Sequence, residues 1–167
     1  MEIEEIKNEI TRLFGEESVI SIDENATPKA LVIKPELIKD LCQVIAEREN
    51  VYFDMLSCVT GIDNGPEAGT MEVVYNLYSI PMEHALMIKV TLPRENPEIE
   101  SLASVYMAAE WHEREAYDLL GIQFKNHPDL RRILMPADWE GHPLRKDYVE
   151  PEEYRGMKTI REEGDPV

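Results

Sequence analysis

Apolar residues recur at helical spacing from the start of the chain, where Ile3, Ile6, Ile10, Leu13 and Phe14 are interleaved with Glu2, Glu4, Glu5 and Glu9. Acidic side chains in the early turns suit the positive end of a helix dipole, and Gly15 supplies a stop, so the pattern predicts a first helix. Residues 18–22 and 30–34 read as short strands on either side of the turn-rich DENATPK segment. Pro35 then opens a second helix whose buried face carries Leu37, Ile38, Leu41, Val44 and Ile45.

Three stretches of strand character follow at residues 51–60, 71–80 and 84–92, which predict an antiparallel meander. In the third, Leu86, Ile88, Val90 and Leu92 alternate with Met87, Lys89 and Thr91, so one face looks toward a core and helices should cover it. Asn96, Pro97 and Glu98 form a helix-start signal. Ile99, Leu102, Val105, Tyr106 and Ala109 carry the pattern toward Leu120, with an interruption near Ala108 and Gly121 as the stop. Past Gly121 the periodicity vanishes: residues 122–124 pair briefly, and from Asn126 the chain is turns and extended backbone. Residues 148–167 are thinly hydrophobic and are expected to be mobile when free.

These elements define an α+β fold: a two-layer domain over residues 1–121 with a mostly antiparallel or mixed sheet covered by helices, then an extended partner-binding C-terminal arm over residues 122–167. Four prolines, at positions 128, 136, 143 and 151, exclude a helix or central strand from the arm, yet Leu130, Ile133, Leu134, Met135 and Trp139 lie between them. Apolar anchors on extended backbone need a surface to lie on, and docking on a partner is the expected solution.

Charge sharpens this division. The chain holds 17 basic against 34 acidic side chains, a formal net charge of -17 that repels phosphate backbones and anionic headgroups, so nucleic acid is not an expected partner. Within residues 125–146 the sign reverses locally, with Lys125, Arg131, Arg132, Arg145 and Lys146 against Asp129, Asp138 and Glu140. Guanidinium forks flanking Trp139 are the usual anchors of protein interfaces. Cys42 and Cys58 each lie in an apolar periodic stretch and read as reduced thiols in a cytoplasmic protein. No apolar run reaches ~18 residues, so no membrane span is expected.

Cofactor cradles do not appear: there is no GxGxxG, no Walker loop and no CxxC, and two isolated cysteines cannot supply the four thiolates of a common iron-sulfur cluster. His112 and Glu113 begin a zinc-protease helix motif that fails at position 116, which is Ala. His127 and His142 each precede proline and read as structural. Glu110, Glu113, Glu115 and Asp118 are better read as part of an ionic ladder through Arg114, four residues from Glu110 and from Asp118, than as a catalytic cluster.

The ordered set EREAYDLLGIQF, HPDLRRILMP and DWEGHPLRKDY, over residues 113–148, resembles the 30 kDa subunit family of proton-pumping NADH:quinone oxidoreductase, respiratory complex I. Asn126 stands where the family has Gly before the His-Pro pair, and Ala137 where it has a second Asp; Asn tolerates positive φ, so the turn should survive. The resemblance implies a component of the peripheral arm with no cofactor of its own, on the cytoplasmic face of the membrane. Its partners would be the large quinone-site, hydrogenase-like subunit and the iron-sulfur subunits B and I of the same complex, with iron-sulfur clusters, flavin and quinone held by those neighbours. It further implies that Arg131, Arg132, Leu134, Trp139, Arg145, Lys146 and Asp147 bind the partner, and that Glu113, Arg114, Asp118, His127 and Pro128 brace the arm. An equivalent place in a membrane-bound hydrogenase or another ferredoxin-linked complex is the alternative; a free-standing enzyme is the weakest reading, because no substrate pocket is evident.

Overall fold

The structure, a computed structural model, describes residues 2–159. The expected α+β architecture is present. Helix α1 (Ile3–Phe14) buries Ile6 and Ile10 and ends at Gly15, while α2 (Ile38–Glu47), entered through a short 3-10 turn at Pro35–Leu37, buries Ile38, Leu41, Cys42 and Ile45. Strands β1 (Val19–Asp23), β2 (Ala30–Ile33), β3 (Met55–Asp63), β4 (Thr70–Ser79) and β5 (His84–Pro93) form one mixed sheet in the order β1-β2-β5-β4-β3. The β3-β4-β5 meander is antiparallel, as the alternation predicts; within this sheet β2 and β5 are the parallel pair.

The pleat sorts the two faces. Leu86, Ile88, Val90 and Leu92 of β5 lie opposite Leu77, Tyr75, Val73 and Met71 of β4, all buried against the helices in one continuous core. The other face is mixed: Lys89 pairs there with Asp23 at 2.9 Å and with Glu72 at 3.1 Å, beside Val32, Ile62, Val74 and Met87.

One expected helix is shorter than its periodicity. Residues 98–100 form strand β6 (Glu98–Glu100), parallel to β7 (Gln123–Lys125), and α3 (Ala109–Leu120) begins only after a run of turns. The Ile99, Leu102, Tyr106 and Ala109 side chains are buried as expected, but from strand, turn and helix in succession. The cause is a tertiary competitor for the backbone: the Glu113 carboxyl group takes the Leu102 amide at 2.7 Å and the Ser101 hydroxyl at 2.6 Å, while the Lys125 carbonyl accepts from the Ser101 amide at 2.9 Å. Those bonds replace the helical ladder that would have run through the same residues.

Candidate functional site: the anchored C-terminal arm

Helix α3 packs across β3 at its Leu120 end, and Gly61 permits the approach: a Cβ there would stand 2.5 Å from Leu120 Cδ1 and 2.9 Å from Ile122 Cδ1. The chain then turns at Gly121, whose φ of 79° and ψ of 22° are left-handed and whose N–H donates to the Tyr117 carbonyl at 2.9 Å. Ile122 and Phe124 are buried in the core, so residues 122–125 continue the body and the arm leaves it at Asn126. Asn126 adopts the positive φ, 61°, that its place in the motif requires.

From Asn126 to Tyr148 the backbone lies along α3, and buried carboxylates hold it there. Asp118, fully buried, accepts the amides of Ile133, Leu134 and Met135 on one oxygen at 3.0, 2.7 and 2.9 Å, and Arg132 Nη1 on the other at 2.7 Å. Burial alone would raise its pKa; the three amides and the guanidinium outweigh that and hold the carboxyl below the usual range. Asp63, at the end of β3, takes Arg94 as a fork at 2.7 and 3.0 Å and the Lys146 amide at 2.8 Å, and Arg94 reaches on to Asp147. The Arg94 bonds are the main reason that the Asp63 carboxyl also lies below its usual range.

Of the residues expected to brace the arm, Glu113, Arg114 and Asp118 lie on α3, and His127 and Pro128 lie in the turn after Asn126. Arg114 donates to the carbonyls of Arg131 at 3.1 Å and Arg132 at 3.5 Å and lies 5.3 Å over the Trp111 ring, an arrangement that replaces the ionic ladder expected with Glu110 and Asp118. Backbone carbonyls of the arm are the nearer acceptors once it lies on the helix. His127 donates from Nε2 to the Glu110 carbonyl at 3.0 Å while Nδ1 accepts the Asp129 amide at 3.0 Å, a pairing that fixes the tautomer; Pro128 sits exposed in the same turn.

The residues expected to meet a partner divide into two groups. Arg132 also donates to the Gly141 carbonyl at 2.8 Å, Arg145 to the Leu120 carbonyl at 2.7 Å, and Lys146 Nζ to the Asn64 carbonyl at 3.3 Å, so these cations, with Asp147, are engaged within the chain. Trp139 is half-buried, its Nε1 donating to Tyr148 Oη at 2.9 Å and its ring 5.0 Å from that of Tyr154. Arg131 and Leu134 point outward, at 72% of side-chain and 58% of residue exposure respectively, and Leu144 is 60% exposed beside a groove of about 290 Å³ lined by Cys58, Gly61, His112, Glu115 and Leu119. Sequence reasoning missed Asp63 and Arg94, the nearer of which lies 53 residues before Asp147. An isolated Arg after a strand carries no local signal of such a contact.

Among the described residues no group of three His, Cys, Asp or Glu side chains is placed to hold a metal ion, and no helix is long and apolar enough to cross a membrane. Cys42 and Cys58 are both free thiols; burial pushes the Cys42 thiol well above its ordinary value.

A mixed five-stranded sheet packed against helices, followed by a long arm tied to the body by buried carboxylates, defines a small α+β module. Residues 31–154 match the family described as respiratory-chain NADH dehydrogenase, 30 Kd subunit, and the chain belongs to that family. It is 48% identical over 125 residues to the C subunit of the NADH-quinone oxidoreductase of Chloroherpeton thalassium, a match that covers 72% of this chain and 51% of the relative, so the chain matches about half the length of that protein. Among solved structures, the trypsin-resistant fragment (1-134) of Nqo5 superposes with a TM-score of 0.61 at 28% identity, over 78% of this chain and 100% of the fragment. The membrane-bound sulfane sulfur reductase, an archaeal respiratory membrane complex, contains a chain of the same fold, with a TM-score of 0.73 at 21% identity over 98% of both chains.

Proposed function

We propose that this chain is a scaffold component of the peripheral arm of a proton-pumping NADH:quinone oxidoreductase, holding neighbouring redox subunits in register and carrying no redox group of its own. It docks on the large quinone-site subunit, near the iron-sulfur subunits B and I, on the cytoplasmic face of the membrane, and iron-sulfur clusters, flavin and quinone belong to those neighbours. Family membership supports the parent complex. The observation that carries the docking role is the division within the arm: its half-buried guanidinium groups and several of its amides are satisfied inside the chain, while Leu134 and Leu144 remain exposed.

The arm is then a preformed surface. Arg132, Arg145, Lys146, Asp147 and Trp139 shape it, and Leu134, Leu144 and Arg131 meet the partner, so less ordering entropy is lost on docking than for a free strand. A relative whose structure is that of a trypsin-resistant fragment fits a resistant body with an accessible remainder. The second reading, an equivalent place in a membrane-bound hydrogenase or another ferredoxin-linked complex, uses the same surface and differs only in its companions.

The test is purification of the assembly through a tag on a neighbouring subunit. With Leu134→Asp and Leu144→Asp together, the chain should be lost from the assembly while the isolated protein keeps its wild-type Tm. Full retention of the doubly substituted chain would overturn the docking role, and the identity of the companions decides between the two parent complexes.

A further inference from the structure

Three carboxyl groups fix the arm and the loop beside it, but they are not chemically alike. Asp118 holds a guanidinium and three amides, and Asp63 holds a guanidinium fork and two amides. Glu113 is just as buried and accepts only from the neutral Ser101 hydroxyl and Leu102 amide. A charge held that deep by two neutral donors is costly, and the neutral acid is favoured.

The described groups around Glu113 offer no compensating cation in contact. From the arm, His127 places Nε2 at 4.0 Å from Glu113 Oε2, with its proton directed to the Glu110 carbonyl and its other nitrogen occupied by the Asp129 amide. From β4 comes Tyr75, whose hydroxyl is buried without a hydrogen-bond partner and whose ionisation is opposed first by burial and then by the Glu113 charge; for Tyr75 and Tyr106 alike burial is the main cause and Cys42 of α2 adds in the same direction. On α3 itself, Arg114 is turned away to the carbonyls of Arg131 and Arg132.

We propose that Glu113 is a proton-operated latch at the root of the arm: protonated, it lets the 101–105 loop and the His127 turn close on α3, and its ionisation loosens both. The proton leaves the Glu113 carboxyl for solvent; no other bond is made or broken. The uncompensated carboxylate then draws water or the His127 Nε2–H toward itself, at the expense of the His127 bond to the Glu110 carbonyl that ties the start of the arm to α3. This deepens the docking role above and rests on that reading, because the latch sets how firmly the docking surface is presented.

Burial pushes the Glu113 carboxyl up to about 7, against opposing contributions from Ser101 and Leu102. Its folded value therefore exceeds its unfolded one, so the folded state gains from the proton below about 7 and loses that gain as pH rises from about 4.5 to 7.

Hydrogen exchange on the purified full chain at pH 5.5 and 8.5, corrected for intrinsic chemical rates, reads the latch directly. The opening equilibrium of amides in residues 101–105 and 127–135 should rise at the higher pH by up to about thirtyfold, at tenfold per unit over the interval between pH 5.5 and about 7. Amides of the central strands β4 and β5 should show a smaller rise. Glu113→Gln should abolish the difference while keeping the loop closed, and carboxyl carbon resonances should place one glutamate near 7 in the wild type and none in the variant. Equal protection at both pH values, or a Glu113 resonance that titrates with the exposed glutamates, would overturn the latch. Because the readout uses the free chain, it fails or succeeds independently of whether the arm docks on the quinone-site neighbour.

Discussion

Asp118→Ala should cost about 3 to 5 kcal/mol of stability, the range for removing one partner from a buried ion pair. The loss is large because a single oxygen serves three successive amides of the arm while the other holds Arg132. Deleting the carboxylate leaves three N–H donors without their acceptor at once and leaves Arg132 with only the carbonyls of Asp118 and Gly141, at positions only partly open to water. For a chain of this size the change should lower Tm by roughly 6 to 20 °C, measured by calorimetry. Asp118→Asn should fall between, since one carbonyl oxygen still accepts amides while the charge opposite Arg132 is gone. A further signature is in the acid limb: a carboxyl held below its ordinary value contributes stability above the unfolded pKa of about 3.8, and that contribution fades as pH falls below it. The variant should therefore lose less stability than the wild type between pH 5 and pH 3.

Asp63→Ala should cost about 3 kcal/mol, by the same reasoning applied to a site whose arginine has an alternative acceptor. Arg94 retains Asp147, but Asp147 is itself on the arm, half-exposed, and was positioned through Asp63 and the Lys146 amide. The variant should expose the bonds after Arg145 and Lys146 to trypsin at a rate well above that of the wild type, read by mass spectrometry of the fragments. Wild-type cleavage should instead begin at exposed Arg131 and Arg155. Unchanged cleavage kinetics after Lys146 would show that the arm is held by something other than the β3 terminus.

The two anchors differ in how visible they were in the sequence. The alternation in Leu86–Leu92 and the helical periodicities of residues 3–14 and 37–45 are local, and α1, α2 and the β3-β4-β5 meander follow from them directly. Local periodicity also misled, over residues 98–108, where a buried Glu113 removes a backbone amide from the helix and β7 supplies a strand partner. Neither competitor is adjacent in sequence. The arm was legible as an extended segment from its prolines, and Asn126 as a left-handed turn residue from its motif. Its charges were read as facing outward, because Arg131 and Arg132 look equivalent in sequence. Extended backbone separates them: Arg132 reaches Asp118 and Gly141 while Arg131 turns to Asp129 at the surface. Asp63 and Arg94, remote from the arm in sequence, needed the tertiary fold to become visible at all.

An arm preformed on its own body should present Leu134 and Leu144 to a neighbouring protein of the assembly. The most direct measurement is side-chain footprinting by hydroxyl radicals, on the isolated chain and on the same chain within its purified assembly. Modification of Leu134 and Leu144 should be strong in isolation and suppressed on assembly, with Phe124 protected in both states. Equal labelling of Leu134 and Leu144 in the two states would contradict it.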